Sequence, residues 1–187
     1  MNLNKLFELQ KELDQHIIQE KGLQGEDLLD KKILALQVEL GELAQNWRGF
    51  KFWSEDQEPR TEVYYGPLEI PDVGTYTNPL LEEYIDCLHF VLSIGNDINI
   101  DLKKAIAFFH KKKMPNIIDQ FMWTNYKITN LYRCYQDEGK GYMGYDYVHL
   151  MNSLIGLGEM LGFTWEQIEN AYLEKNKINH QRQENGY

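Results

Sequence analysis

Residues 36–54, LQVELGELAQNWRGFKFWS, decide how the rest of the chain is read. Leu36, Leu40 and Leu43 recur at the spacing of one apolar helix stripe. Glu39 and Glu42 stand where further apolar residues would be expected, on neighbouring turns of one face. A second acid pair follows in residues 80–97, LLEEYIDCLHFVLSIGND, where Glu83 and Asp86 fall in line with Cys87, Phe90 and Ile94. A single ExxE is ordinarily a solvated helix face. Two pairs on two core-facing helices read differently, because an unpaired carboxylate facing a core is expensive. They predict two helices facing each other across a divalent cation, and Mg²⁺ or Mn²⁺ suits such hard oxygen ligands.

Outward from these helices the periodicity stays helical. Leu3, Leu6, Leu9, Leu13 and Ile17 predict a first helix over residues 2–20, ending near Gly22 and Gly25. The first acid helix spans about residues 28–47 and the second about 79–96, with Pro79 suited to its first turn. Between them Pro59, Pro67, Pro71 and Pro79, with Gly66 and Gly74, forbid a long helix. Val63, Tyr64 and Tyr65 allow a short hairpin there, but a long loop is the favoured reading of 55–79, and loops of this length often serve as lids or contacts. A fourth helix is expected through LKKAIAFFHKKK up to Pro115, a fifth over about 117–137 and a sixth over about 145–161. Thr164 with Gln167 reads as a capping box opening a last helix, whose polar stripe is Lys175, Asn179 and Arg182. The expectation is an all-α bundle of about six to seven helices, forming one domain over residues 1–187, with a Pro-rich insertion near 55–79.

Composition narrows the functions. A chain with 43% hydrophobic and 26% charged residues is globular, and its net charge of −10 argues against a broad face for polymeric nucleic acid. It does not exclude a nucleotide, since metal ions and a few placed cations can neutralise a triphosphate locally. Only Cys87 and Cys134 occur and no signal-like segment opens the chain, so a reduced cytoplasmic setting is expected. Apolar runs are too short to span a bilayer, and no membrane role is expected.

Among residues that could carry chemistry, an acid of the cluster not fully committed to metal could deprotonate a water for attack on phosphorus. Lys51 and Trp53 place a cation and an aromatic ring just after the first acid helix, although Trp53 could equally be core. Gln10 and Asp14, one turn apart, read from pattern alone as ordinary surface residues. The run Lys111, Lys112 and Lys113 reads as a solvated helix terminus. His89, three after Asp86, raises a di-iron alternative, but that architecture needs the ligand motif twice, and Glu42 is followed at the same spacing by Gln45.

Four segments in order, LQKELD (9–14), VELGELAQNWRGFKFWS (38–54), EEYIDCLHFVLS (82–93) and YLEKNKINHQRQENGY (172–187), resemble the dimeric all-α deoxyuridine triphosphatases, within the all-α nucleoside triphosphate pyrophosphohydrolases. The resemblance implies a homodimer hydrolysing dUTP to dUMP and pyrophosphate, with Mg²⁺ held by Glu39, Glu42, Glu83 and Asp86 and with Glu39 activating water. It implies that Lys175 and Arg182 meet phosphates, Asn179 reads the base, Lys51 and Trp53 border the nucleotide, and Phe90 packs against the deoxyribose. Gln10 and Asp14 fall in the first motif. That motif usually ends in Asn, and a carboxylate at Asp14 facing the base would suit the amino group of cytosine, so dCTP or mixed pyrimidine substrates compete with dUTP. A helical interaction module without catalysis is the alternative of another class.

Overall fold

The computed structural model describes residues 2–66 and 74–186. Among these the architecture is helical: α1 (Leu3–Glu20), α2 (Leu29–Trp47), α3 (Pro79–Asp97), α4 (Leu102–Ala105), α5 (Ile117–Glu138), α6 (Gly144–Met160) and α7 (Trp165–Glu184), with strands β1 (Val63–Tyr65) and β2 (Thr75–Thr77) between α2 and α3. The all-α expectation holds.

Helix α3 is the axis. It packs against α1, α2, α6 and α7, and its run from Tyr84 to Gly95 is buried apart from Asp86 and Phe90. A helix apolar nearly all round belongs in the centre of a bundle. Asn78 caps it, its side chain accepting from the Leu81 amide at 3.0 Å, and Pro79 occupies the first turn. Two buried tyrosines tie it to α6: Tyr84 Oη donates to the Leu154 carbonyl at 3.1 Å, and Tyr147 Oη to the Val91 carbonyl at 3.0 Å. Leu36, Leu40 and Leu43 form the buried stripe of α2, which lies along α3. The Thr164–Gln167 capping box opens α7, with both reciprocal bonds formed.

Three expectations are corrected. Val63, Tyr64 and Tyr65 do pair, antiparallel with Thr77, Tyr76 and Thr75, so the linker contains a hairpin; Pro67 and Pro71 lie outside the described residues. The fourth helix is one turn of α4 followed by a 3₁₀ turn over Ile106–Phe108, because the next residues find partners on other helices. His110 and Lys112 donate their amides to the side chain and carbonyl of Asn152 at 2.7 and 3.1 Å, and Gln120 Nε2 donates to the Lys112 carbonyl at 2.9 Å. Lys111 and Lys113 accordingly stand on an extended strap, where both pair with Glu159, and not at a helix terminus.

Candidate active site

The facing of α2 and α3 brings Glu39, Glu83 and Asp86 together, with one carboxylate oxygen of each inside a group no wider than 4.8 Å. All three are half-buried. Burial is the leading cause that lifts Glu39 to about 7 and Glu83 to about 7; the charges of the neighbouring acids add to it. Glu42 is exposed and stands outside this close group of three. Its charge still acts on the group, since it helps raise both Glu39 and Glu83. Asn46 Nδ2 donates to Glu83 Oε1 at 3.2 Å, and Lys175 Nζ reaches across from α7 to Asp86 Oδ2 at 2.6 Å. One ammonium facing several carboxylates leaves net negative charge, and this donor set fits a hard divalent cation.

The cluster opens into a cavity of about 490 Å³, a size suited to a nucleotide-like ligand. Glu39, Asp86 and Lys175 stand in its wall, and Phe90, Asn179 and Arg182 line it as well. Arg182 Nη1 donates to Asn179 Oδ1 at 3.5 Å. Gln10 and Asp14 line the same cavity, so the surface reading from pattern alone fails for both. Gln10 is 3% exposed.

Lys51 and Trp53 are not in the cavity wall. Trp53 is 65% exposed and lies edge-on to Phe50 and Phe52, which removes the core reading; the Lys51 ammonium is 5.8 Å from the Phe50 ring centroid. Their loop begins at Arg48, in the left-handed region at φ 65°, and Arg48 and Arg60 both pair with Asp56.

Sequence reasoning missed a polar floor beneath the cavity. Tyr172 Oη and His89 Nδ1 meet Gln10 Oε1 at 2.9 and 2.6 Å. Gln10 Nε2 donates to Asp14 Oδ1 at 2.8 Å, and Ser93 Oγ to Asp14 Oδ2 at 2.7 Å. Lys32 Nζ pairs with Asp97 at 2.8 Å and lies 3.7 Å from Asp14. Burial raises the Asp14 carboxyl, opposed by Lys32 and by the bonds from Ser93 and Gln10. Burial holds His89 neutral, pushing it down to about 3, and its ring stacks on Tyr172. His89 is bonded through Nδ1 to Gln10 and stands outside the close group of carboxylates. The available signal was polar residues at four-residue spacing inside apolar helices, Gln10 with Asp14 and His89 with Ser93.

A family model described as dUTPase matches residues 2–68 and 71–187, a span that holds every residue of the cluster, cavity and floor. Comparison with curated proteins finds no match.

Proposed function

The chain belongs to the all-α dUTPase family, whose activity makes it a nucleoside triphosphate pyrophosphohydrolase acting on dUTP, and from that premise we propose how its own residues carry the reaction. The observation that carries the proposal is the convergence of Glu39, Glu83 and Asp86, the first and last of them in the wall of a cavity that Lys175, Asn179 and Arg182 also line. Glu39, Glu83 and Asp86 would hold Mg²⁺, or Mn²⁺ in its place, with Glu42 adding charge at the rim. Such an ion neutralises the triphosphate and withdraws electrons from the phosphorus under attack.

The protein side chains do the rest. Glu39, the acid of α2 in the cavity wall, accepts the proton of the attacking water. Lys175 and Arg182 offer N–H donors to phosphate oxygens, for which ammonium and guanidinium groups are suited. Asn179 has its oxygen engaged by Arg182 and turns its amide hydrogens to the base. Phe90 packs against the deoxyribose. Lys51 and Trp53 reach the nucleotide from the rim of the site, or from a second subunit. The chain acts as one domain, with 55–79 as an insertion, in the reduced cytoplasm.

A homodimer is part of the proposal. Leu34 and Val38 of α2 and Ile118, Met122 and Tyr126 of α5 are left exposed on two helices that pack together, a surface suited to a second copy. Among the described residues no helix is long and apolar enough to cross a membrane. Between pyrimidines, dUTP is preferred to dCTP, as the family's activity implies; the two oxygens of Asp14 each accept a bond, from Gln10 and from Ser93.

The test is pyrophosphate release from each nucleoside and deoxynucleoside triphosphate in Mg²⁺ and in EDTA. Release from dUTP above all others, abolished by EDTA, is expected. Release from none would leave the interaction-module reading in its place, and faster turnover of dCTP would reverse the substrate assignment.

A further inference from the structure

The two oxygens of Glu83 are not equivalent, and Asn46 makes the difference. Glu39, Glu42 and Asn46 follow one another at three- and four-residue steps along α2, so the amide stands on the same face as the acids. Its nitrogen serves two acceptors: Glu83 Oε1 across the helix pair at 3.2 Å, and the Glu42 carbonyl of its own helix at 3.4 Å. Turned over, the amide would set its oxygen against that carbonyl and that carboxylate together, so the NH₂ end is held where it is. The backbone fixes the span as well. Arg60 donates its amide to the Asn46 carbonyl at 2.9 Å and accepts at its own carbonyl from the Leu80 amide at 3.0 Å, which clasps the end of α2 to the start of α3, one turn before Glu83.

Asp86 is treated alike, since Lys175 Nζ donates to its Oδ2 at 2.6 Å. An oxygen that accepts an N–H has given part of its charge to it, so two of the three acids present one free oxygen each to a cation. Mg²⁺ is small, keeps near-octahedral geometry and is held by single carboxylate oxygens, with water and phosphate filling the remaining positions. Ca²⁺ takes about six to eight oxygens and readily chelates a carboxylate through both. We propose that Asn46 is a positioning residue that holds Glu83 to one free oxygen and so sets the acid cluster for Mg²⁺ against Ca²⁺. This rests on the reading above that Glu39, Glu83 and Asp86 hold the cation.

Removing the amide separates a positioning role from a merely structural one. In Asn46→Ala the clasp through Arg60 survives, because it uses only the backbone of residue 46, and alanine suits the interior of a helix. Glu83 is then free to turn and to offer both oxygens. Ca²⁺ gains a ligand atom by that. Mg²⁺ gains none that it can use and loses an acid held ready in place. The two ions therefore respond differently, whereas a general loosening of the helix pair weakens both.

Thermal unfolding of the full-length protein, stripped with EDTA, dialysed and titrated with MgCl₂ alone or CaCl₂ alone, gives a dissociation constant for each ion. The proteins compared are wild type, Asn46→Ala and Asn46→Leu. The ratio of the Ca²⁺ to the Mg²⁺ dissociation constant is expected to fall by about tenfold when the amide is lost, the scale of an outer partner of a metal ligand. Leucine is close to asparagine in size and carries no N–H, and it decides the matter if the alanine variant does not fold. A ratio unmoved in the folded variants, or both ions weakened alike, would overturn the proposal while leaving the cluster a cation site. Wild type stabilised by neither ion would sink the reading of the cluster, and the proposal with it.

Discussion

Replacing Glu39 by Gln should make the metal-free protein more stable while it disables the enzyme. Glu39 is raised from 4.5 to about 7, first by burial and then by Asp86, Glu42 and Glu83. Its folded-state value lies above its unfolded one, so between 4.5 and about 7 the native state holds a proton that the unfolded chain has released. The associated stability is present below 4.5 and is lost as pH rises through about 7. Because the group is half-exposed, solvent screening reduces the cost of ionising it to about 1 kcal/mol. For a chain of this size that is about 2–4 °C in Tm. The assay is thermal unfolding of wild type and Glu39→Gln in EDTA from pH 5 to pH 8. Taking the difference between the two proteins cancels opposing groups such as His89. The two should coincide near pH 5, and the variant should melt higher by that margin at pH 8. Saturating Mg²⁺ should then raise wild type far more than the variant, about 2.7 kcal/mol at a hundredfold excess over Kd. A variant less stable than wild type at pH 8 in EDTA would refute the account of a strained, cation-seeking cluster.

Other perturbations follow from the same geometry. Lys175→Met removes the partner of Asp86 and a phosphate donor together, so KM for dUTP should rise by at least about tenfold, measured by steady-state kinetics. Gly95→Ala places a methyl against Tyr147 and Phe7 at the centre of the bundle and should cost about 1–3 kcal/mol in urea unfolding. Gly156→Ala drives a methyl into the Lys112 carbonyl, and should speed hydrogen exchange in residues 108–114 relative to α3. Trp53→Ala should leave Tm within about 1 °C, since so exposed a ring contributes little burial, yet weaken dUTP binding if the loop meets the nucleotide.

Where periodicity and capping act within one helix, the fold was legible. Helices α1, α2, α3, α5, α6 and α7 follow from apolar spacing, from Pro79 and from the Thr164 and Gln167 pair. The region after Ala105 was not, because its lysines and alanines favour helix while two of its amides are claimed by Asn152 and the Lys112 carbonyl by Gln120, both from later in the chain. In the site, the two acid pairs predicted which helices would face each other. The exclusion of Glu42 from the close group depends on the rotation of α2 against α3, which spacing does not encode. The floor was hidden for a related reason: Gln10, Asp14, His89, Ser93 and Tyr172 come from three helices, and each has an ordinary reading until the packing brings them within hydrogen-bond distance.

The central claim is that Glu39, Glu83 and Asp86 hold the cation without which dUTP is not cleaved. Its most direct test is the Mg²⁺ titration of pyrophosphate release from dUTP by wild type, Glu39→Gln, Glu83→Gln and Asp86→Asn, each first shown to be folded. Saturable Mg²⁺ dependence is expected in wild type, with loss of about a hundredfold or more in kcat/KM in every variant, the scale of removing a group that stabilises transition-state charge. Release that persists in EDTA, or variants that turn over dUTP at the wild-type rate and Mg²⁺ midpoint, would contradict it.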